Sequence, residues 1–162
     1  MSFATADLSD AHPEARCAEP LFQSFGARLR CHGRAHTLKV YEDNSLVRET
    51  LERPGEGRVL VIDGGGSARC ALVGGNLADL AVANAWAGIW LHGFVRDRVE
   101  LAQAAVAIHA LGSHPRKSNK GLHGGAEGLI LHFAGIAIAP GEWVYADEDG
   151  IVVASSPIHL AS

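Results

Sequence analysis

Apolar residues are arranged in two ways along this chain. Continuous runs at Val59-Leu60-Val61-Ile62, Ile89-Trp90-Leu91 and Val106 to Leu111 predict strands buried on both faces. Alternation of apolar and polar residues from Ala27 to Ala35 predicts a half-buried strand, and Thr37 to Tyr41 a second one. Short β signals follow at Leu129 to Phe133, Ile136 to Ile138, Trp143 to Tyr145 and Ile151 to Val153. Their turns are Ala134-Gly135, Pro140-Gly141 and Asp149-Gly150. Helical patterns lie between these strands. One covers Leu8 to Ala18, with Ser9-Asp10 as its cap and Pro13 in its first turn. Another covers Leu46 to Leu51, capped by Asp43-Asn44-Ser45. An alanine-rich helix is predicted from Leu77 to Trp86, ended by Gly88, and a helical turn from Val99 to Gln103. Pro20 to Phe25 and Pro54 to Gly57 read as turns. The segment from Gly112 to Gly128, rich in Gly, His, Lys and Ser, reads as a long loop with little to pack and is expected to be mobile.

This order of elements predicts a single mixed, β-rich α/β domain over residues 1–162, with no repeat or linker. The 48% apolar content is enough for a sizeable core. A net charge of −4 with dispersed Lys and Arg argues against direct nucleic-acid binding. No apolar run approaches the about 20 residues of a membrane-spanning helix. The first residues lack the basic-then-apolar pattern of a secretion signal. Cys17, Cys31 and Cys70 are odd in number and form no CxxC, which points to a reducing, cytoplasmic setting.

Candidate chemistry is concentrated between Val59 and Arg98. The first buried strand stops at Asp63 and the glycines Gly64-Gly65-Gly66. This lacks the dinucleotide fingerprint, since Arg69 stands where its last glycine would be, and it reads as a tight turn. A second pair, Gly74-Gly75, precedes Asn76-Leu77 and the alanine-rich helix. Unpaired amides at such a helix start can face a carboxylate. After the next strand come Arg96 and Asp97. Arg96 offers a planar fork of donors and Asp97 a hard oxygen ligand. Together these residues suggest a site for a small oxyacid beside a divalent metal. The histidines show no zinc-ligand spacing. Lys39, Lys117 and Lys120 show no apolar pocket of the kind a Schiff-base lysine needs. Asp147-Glu148-Asp149 reads more simply as a hairpin turn at Asp149-Gly150.

Several segments then carry a resemblance that runs almost end to end. They include Thr5 to Asp10, Phe22 to Gly26, Tyr41 to Leu46, Val61 to Ser67, Gly75-Asn76-Leu77, Gly93 to Asp97, Ala110 to Ser118 and Tyr145 to Gly150. On these the chain resembles the regulator-of-ribonuclease-activity A (RraA) family, which is similar to the 4-hydroxy-4-methyl-2-oxoglutarate aldolases. The resemblance implies a swivelling β/β/α domain with mixed sheets and a ring-like homotrimer with the site near a subunit boundary. It also implies a small keto-acid substrate. Backbone amides of Gly74, Gly75, Asn76 and Leu77 would hold the pyruvate carboxylate. Arg96 would contact the keto oxygen and Asp97 would ligate Mg²⁺ or Mn²⁺. Many aldolases have an acid where this chain has Gly75, and longer ones carry a C-terminal extension, so a modest lyase is expected. The competing class is a non-catalytic inhibitor of an RNase E-type endoribonuclease. Some members also bear a methyltransferase name, but no nucleoside-binding motif supports that activity here.

Overall fold

The computed structural model describes residues 2–122 and 124–159. Its helices are α1 (Thr5–Ala11), α2 (Ser45–Leu51), α3 (Gly75–Ala83) and α4 (Arg98–Leu101). The longer strands are β3 (Cys31–Lys39), β4 (Val59–Asp63), β5 (Gly88–Val95), β6 (Ala107–Ser113), β10 (Trp143–Ala146) and β11 (Ile151–Ala154). The short ones are β1 (Arg16–Cys17), β2 (Gln23–Ser24), β7 (Ala126–Glu127), β8 (Leu131–Phe133) and β9 (Ile136–Ile138). Strands pair in the order β1-β11-β10-β3-β4-β5-β6-β2, with β7 also on β3 and β8-β9 forming a separate hairpin. The result is a mixed α/β fold with mixed sheets. No helix among the described residues is long and apolar enough to cross a membrane.

Strand β3 joins the two halves of the sheet. Its first part, Cys31 to Arg34, pairs antiparallel with β10, and its second part, Ala35 to Lys39, pairs parallel with β4. The two strands expected over this region are therefore one, and Ala27 to Arg30 lie before it. Strands β3, β4, β5 and β6 run parallel, so their C-terminal ends open on one edge, where α/β sheets place ligand crevices.

Two cores flank the sheet. Leu38, Leu60, Ile62 and Leu91 pack against helix residues Val47, Leu51, Leu77, Ala81 and Leu101. On the other face Ala35, Val61 and Trp90 pack against Leu131, Phe133 and Ile138. Residues i and i+2 of a strand share a face, so the parallel strands β3 to β6 serve both cores, while β10 and β11 turn their other face to a third cluster with Leu8 of α1.

Three boundaries differ from the sequence pattern. Helix α1 starts at Thr5, because both the Thr5 amide and hydroxyl donate to the Asp147 carboxylate, at 2.7 and 2.6 Å. Ser9-Asp10 lie inside that helix, which ends at Ala11; His12, next to Pro13, is kept from the helical region. Helix α3 starts at Gly75 and ends at Ala83, before Ala85 with φ 61°, so the stop precedes Gly88. The presumed turn at Pro20 to Phe25 contains β2.

The segment from Gly112 to Gly128 also differs. Gly112 and Ser113 extend β6, and Ala126-Glu127 form β7. Between them, Lys117 bridges to Ala71 and Asn119 to Asp43. Asp43, fully buried, accepts the Leu122 amide at 2.6 Å and the Ser45 amide at 2.9 Å. The segment has backbone partners that its composition does not announce.

Candidate functional site

Every site residue expected from the sequence meets in one pocket. Gly74, Gly75, Asn76, Leu77, Arg96 and Asp97 line it, joined by Asn44, Arg48, Lys117, Ser118 and Lys120. The geometry follows from the parallel sheet. The chain leaving β4 returns as Leu72-Val73 alongside the end of β5: the Leu72 amide donates to the Phe94 carbonyl at 2.8 Å, and the Arg96 amide to the Val73 carbonyl at 2.9 Å. This sets Gly74-Gly75 beside Arg96-Asp97.

Asp97 has a left-handed backbone, φ 63° and ψ 47°, and precedes helix α4. That conformation is uncommon for a residue other than glycine. It turns the carboxylate back, so that Oδ2 accepts the Gly75 amide at 2.9 Å. The start of α3 is thus capped by a side chain from another loop. Beyond Gly75, the amides of Asn76 and Leu77 belong to the first turn and have no acceptor within the helix. They are donors at the positive end of a helix dipole.

Both glycines allow a carboxylate to approach the backbone closely. A Cβ on Gly74 would lie 2.7 Å from Asp97 Oδ2, and one on Gly75 would collide with Glu100 Oε2. Glu100, on α4 three residues after Asp97, therefore brings a second carboxylate to the place where a side chain at position 75 would project. Position 75 itself carries no acid, but the Glu100 carboxylate reaches the space beside it. The spacing of Asp97 and Glu100 across one helical turn was the available signal.

Cations also line the pocket. Lys120 Nζ donates to Asn44 Oδ1 at 2.9 Å, and Asn44 Nδ2 donates to the Leu72 carbonyl at 3.1 Å. The Gly121 amide donates to Ser45 Oγ at 2.8 Å. Arg48 projects from α2 and Lys117 from the bridged segment. The pocket thus combines donors with the Asp97 carboxylate, and Glu100 adds a second carboxylate against Gly75.

The other candidates have structural roles. The amides of Gly64 and Gly66 both donate to the His92 carbonyl at 3.1 Å, which makes the triple glycine a tight turn. Asp147 anchors Thr5, and its own amide donates to the Gly150 carbonyl at 3.0 Å, closing the hairpin. His32 and His36 lie on β3, and His36 pairs with Glu127 at 2.8 Å. His123 lies outside the described residues.

The model of the RraA-like family, described as Aldolase/RraA, matches residues 5–153. The chain belongs to the RraA-like family. A Paraburkholderia phytofirmans protein named as a candidate 4-hydroxy-4-methyl-2-oxoglutarate aldolase is 56% identical, covering 98% of this chain and 100% of its own length. An Alkalilimnicola ehrlichii protein of the same name is 53% identical, covering 98% of each. The structure described as the RNA-processing inhibitor RraA from Thermus thermophilis superposes with a TM-score of 0.93 at 46% identity, covering 97% of this chain and 95% of that one. A Geobacillus kaustophilus structure described as an S-adenosylmethionine: 2-dimethylmenaquinone methyltransferase also gives 0.93, at 41% identity and 99% coverage of both chains. The two solved structures share the fold along their length, and the four relatives carry three different functional names.

Proposed function

We propose that this RraA-like chain is a divalent-metal-dependent carbon–carbon lyase. It cleaves 4-hydroxy-4-methyl-2-oxoglutarate to two pyruvates, or decarboxylates oxaloacetate to pyruvate and CO₂, in both cases through a pyruvate enolate. The observation that carries this reading is the meeting of Asp97 and Glu100 at the Gly74-Gly75 helix start, beside Arg96.

The donor set fits a hard cation. Among the described residues no place gathers three or more His, Cys, Asp or Glu side chains in a metal-holding arrangement. Two carboxylates at an open rim suit Mg²⁺ or Mn²⁺, which keep several waters and take few protein ligands. Asp97 would hold the ion directly and Glu100 would order its water. The ion supplies Lewis-acid stabilisation of developing oxygen charge.

The remaining steps fall to the chain itself. First-turn amides at Asn76 and Leu77 bind the carboxylate next to the keto group. Arg96 donates to the keto oxygen, where negative charge accumulates as the bond to the leaving carbon breaks. In the aldol cleavage, the substrate hydroxyl gives up its proton to water at the Glu100 side. The broken bond's electron pair becomes the enolate, which is then protonated at carbon. Arg48, Lys117 and Lys120 face the second carboxylate of 4-hydroxy-4-methyl-2-oxoglutarate, which the cleavage leaves intact. A homotrimer in which the site lies near a subunit boundary completes the reading.

Pyruvate release from each substrate, with and without Mg²⁺ or Mn²⁺, tests the proposal. Metal-dependent release lost on chelation supports it. A second reading draws on the Thermus relative's description as an RNA-processing inhibitor: the chain would bind and inhibit an RNase E-type endoribonuclease without catalysis. Slowing of such a nuclease by protein that releases no pyruvate would select that reading instead.

A further inference from the structure

A second cavity, of roughly 600 Å³, opens at the C-terminal ends of β3, β4 and β5 and shares no lining residue with the first. Lys39, Asp63 and His92 are register neighbours on these adjacent parallel strands. Asp63 and His92 continue the face that carries Val61 and Trp90, away from helices α2 and α3. An ammonium, a carboxylate and an imidazole thus stand in a row, about 4.8 Å from strand to strand. Tyr41 and His132 also line the cavity.

The row is held in place. Asp63 Oδ1 accepts the Gly65 amide at 2.8 Å and lies 3.7 Å from His92 Nδ1, too far for a hydrogen bond. His92 Nδ1 is shielded from solvent without a hydrogen-bond partner. The His92 ring stacks on Phe133, with centroids 4.9 Å apart and planes 5° off parallel. Gly65 and Gly66 both have φ of 68°, and a Cβ on them would press the Tyr41 ring at 3.0 Å and the His92 ring at 3.1 Å. The glycines therefore leave both rings as cavity walls, and Tyr41 is 50% exposed. Burial pushes the Asp63 carboxyl up. The His92 imidazole and the Gly65 amide, helped by the charge of Lys39, more than reverse this and keep it ionised at neutral pH. Among the described residues, the Lys39 ammonium makes no hydrogen bond or ion pair.

We propose that this cavity binds an α-amino acid, with its ammonium on Asp63, its carboxylate on Lys39 and an apolar or aromatic side chain along Tyr41 and His92. One cation beside one anion is complementary to a zwitterion. A dianion would be repelled by Asp63 and a dication by Lys39. The volume lies within the range of small-molecule sites. The inference is independent of the lyase reading.

The test uses Arg96→Ala protein, which alters the first site and leaves the second cavity's lining intact, alongside the unsubstituted chain. L-phenylalanine, phenyllactate (no ammonium) and phenethylamine (no carboxylate) are titrated while the C2 proton resonances of His92 and His132 are followed. L-phenylalanine should shift both saturably, and each single-charge analogue should bind at least about tenfold more weakly. Lys39→Met should abolish the preference for L-phenylalanine over phenethylamine. Absence of saturable shifts, or phenyllactate binding as well as L-phenylalanine, overturns the proposal. So does a change in sedimentation on Lys39→Met without any effect of L-phenylalanine, which would make this face a contact between copies of the chain.

Discussion

The Gly75 amide donates to Asp97 Oδ2 at 2.9 Å across 22 residues of sequence. This bond makes one carboxylate serve two ends: it caps helix α3 and stands at the rim of the pocket. Asp97→Asn separates these roles. The asparagine side-chain oxygen still accepts the Gly75 amide, so the melting temperature should change little. Loss of the charge should lower metal-dependent pyruvate release by more than about 100-fold, with parallel loss of metal affinity by calorimetry. A large drop in melting temperature with activity retained would show Asp97 to be only a cap.

The legibility of the chain follows from the range of the interactions involved. Val59 to Ile62 was readable because four consecutive apolar residues have few alternatives to a doubly buried strand. Arg96 and Asp97 were readable as chemistry because they follow such a strand. The start of α3 was not, since its cap comes from Asp97 rather than from a neighbouring residue. Glu100 was hidden for the same reason: only folding brings it to Gly75. Helix α1 was misplaced because its anchor, Asp147, lies 142 residues away from Thr5. The long-loop reading of Gly112 to Gly128 was too wide at both ends, where β6 and β7 intrude, and could not show the bridges to Asp43 and Ala71 between them.

Glu100 gives the sharpest test of the two-carboxylate rim. Glu100→Gln should lower kcat by about tenfold or more and weaken metal binding, as loss of an outer ligand does. Gly75→Ala should act on the same group by a different route, because its methyl displaces the end of a flexible glutamate rather than backbone. Its effect on melting temperature should be small and its effect on kcat should resemble that of Glu100→Gln. The double variant should be no worse than either single one; additive losses would mean that the two residues act separately.

Arg96→Lys should lose most activity despite keeping the charge. An ammonium cannot reproduce the planar fork that, in the proposed lyase, donates to the keto oxygen. The deficit should appear in kcat rather than KM, because the charge it answers develops during bond breaking. An unchanged kcat with raised KM would reassign Arg96 to substrate binding alone.

The amide of Asn119 donates to the Glu42 carbonyl at 2.9 Å, and its residue bridges to Asp43. Hydrogen exchange should therefore find this amide protected well above unstructured chain, although below the central strand Val59 to Ile62. Exchange at the unprotected rate would restore the mobile-loop expectation.

Asp147 links the fold to pH. Burial pushes its carboxyl up, but the Thr5 hydroxyl and amide, with the amides of Asp149 and Gly150, outweigh this and hold it below its ordinary value of 3.8. A carboxyl whose folded value is depressed contributes stability that is fully present above the unfolded value. That contribution is lost as pH falls through the folded one. The unsubstituted chain should thus lose stability progressively below about pH 3.8, over a window in which Asp147→Asn, already weakened, shows a smaller slope. The lesion should be local first. Helix α1, held to the turn between β10 and β11 through this contact, should lose amide protection before the parallel strands do. Urea unfolding at stepped pH, with exchange measured at Leu8 and Val61, reads both effects. Equal acid slopes in the two proteins would remove Asp147 from the account of acid stability.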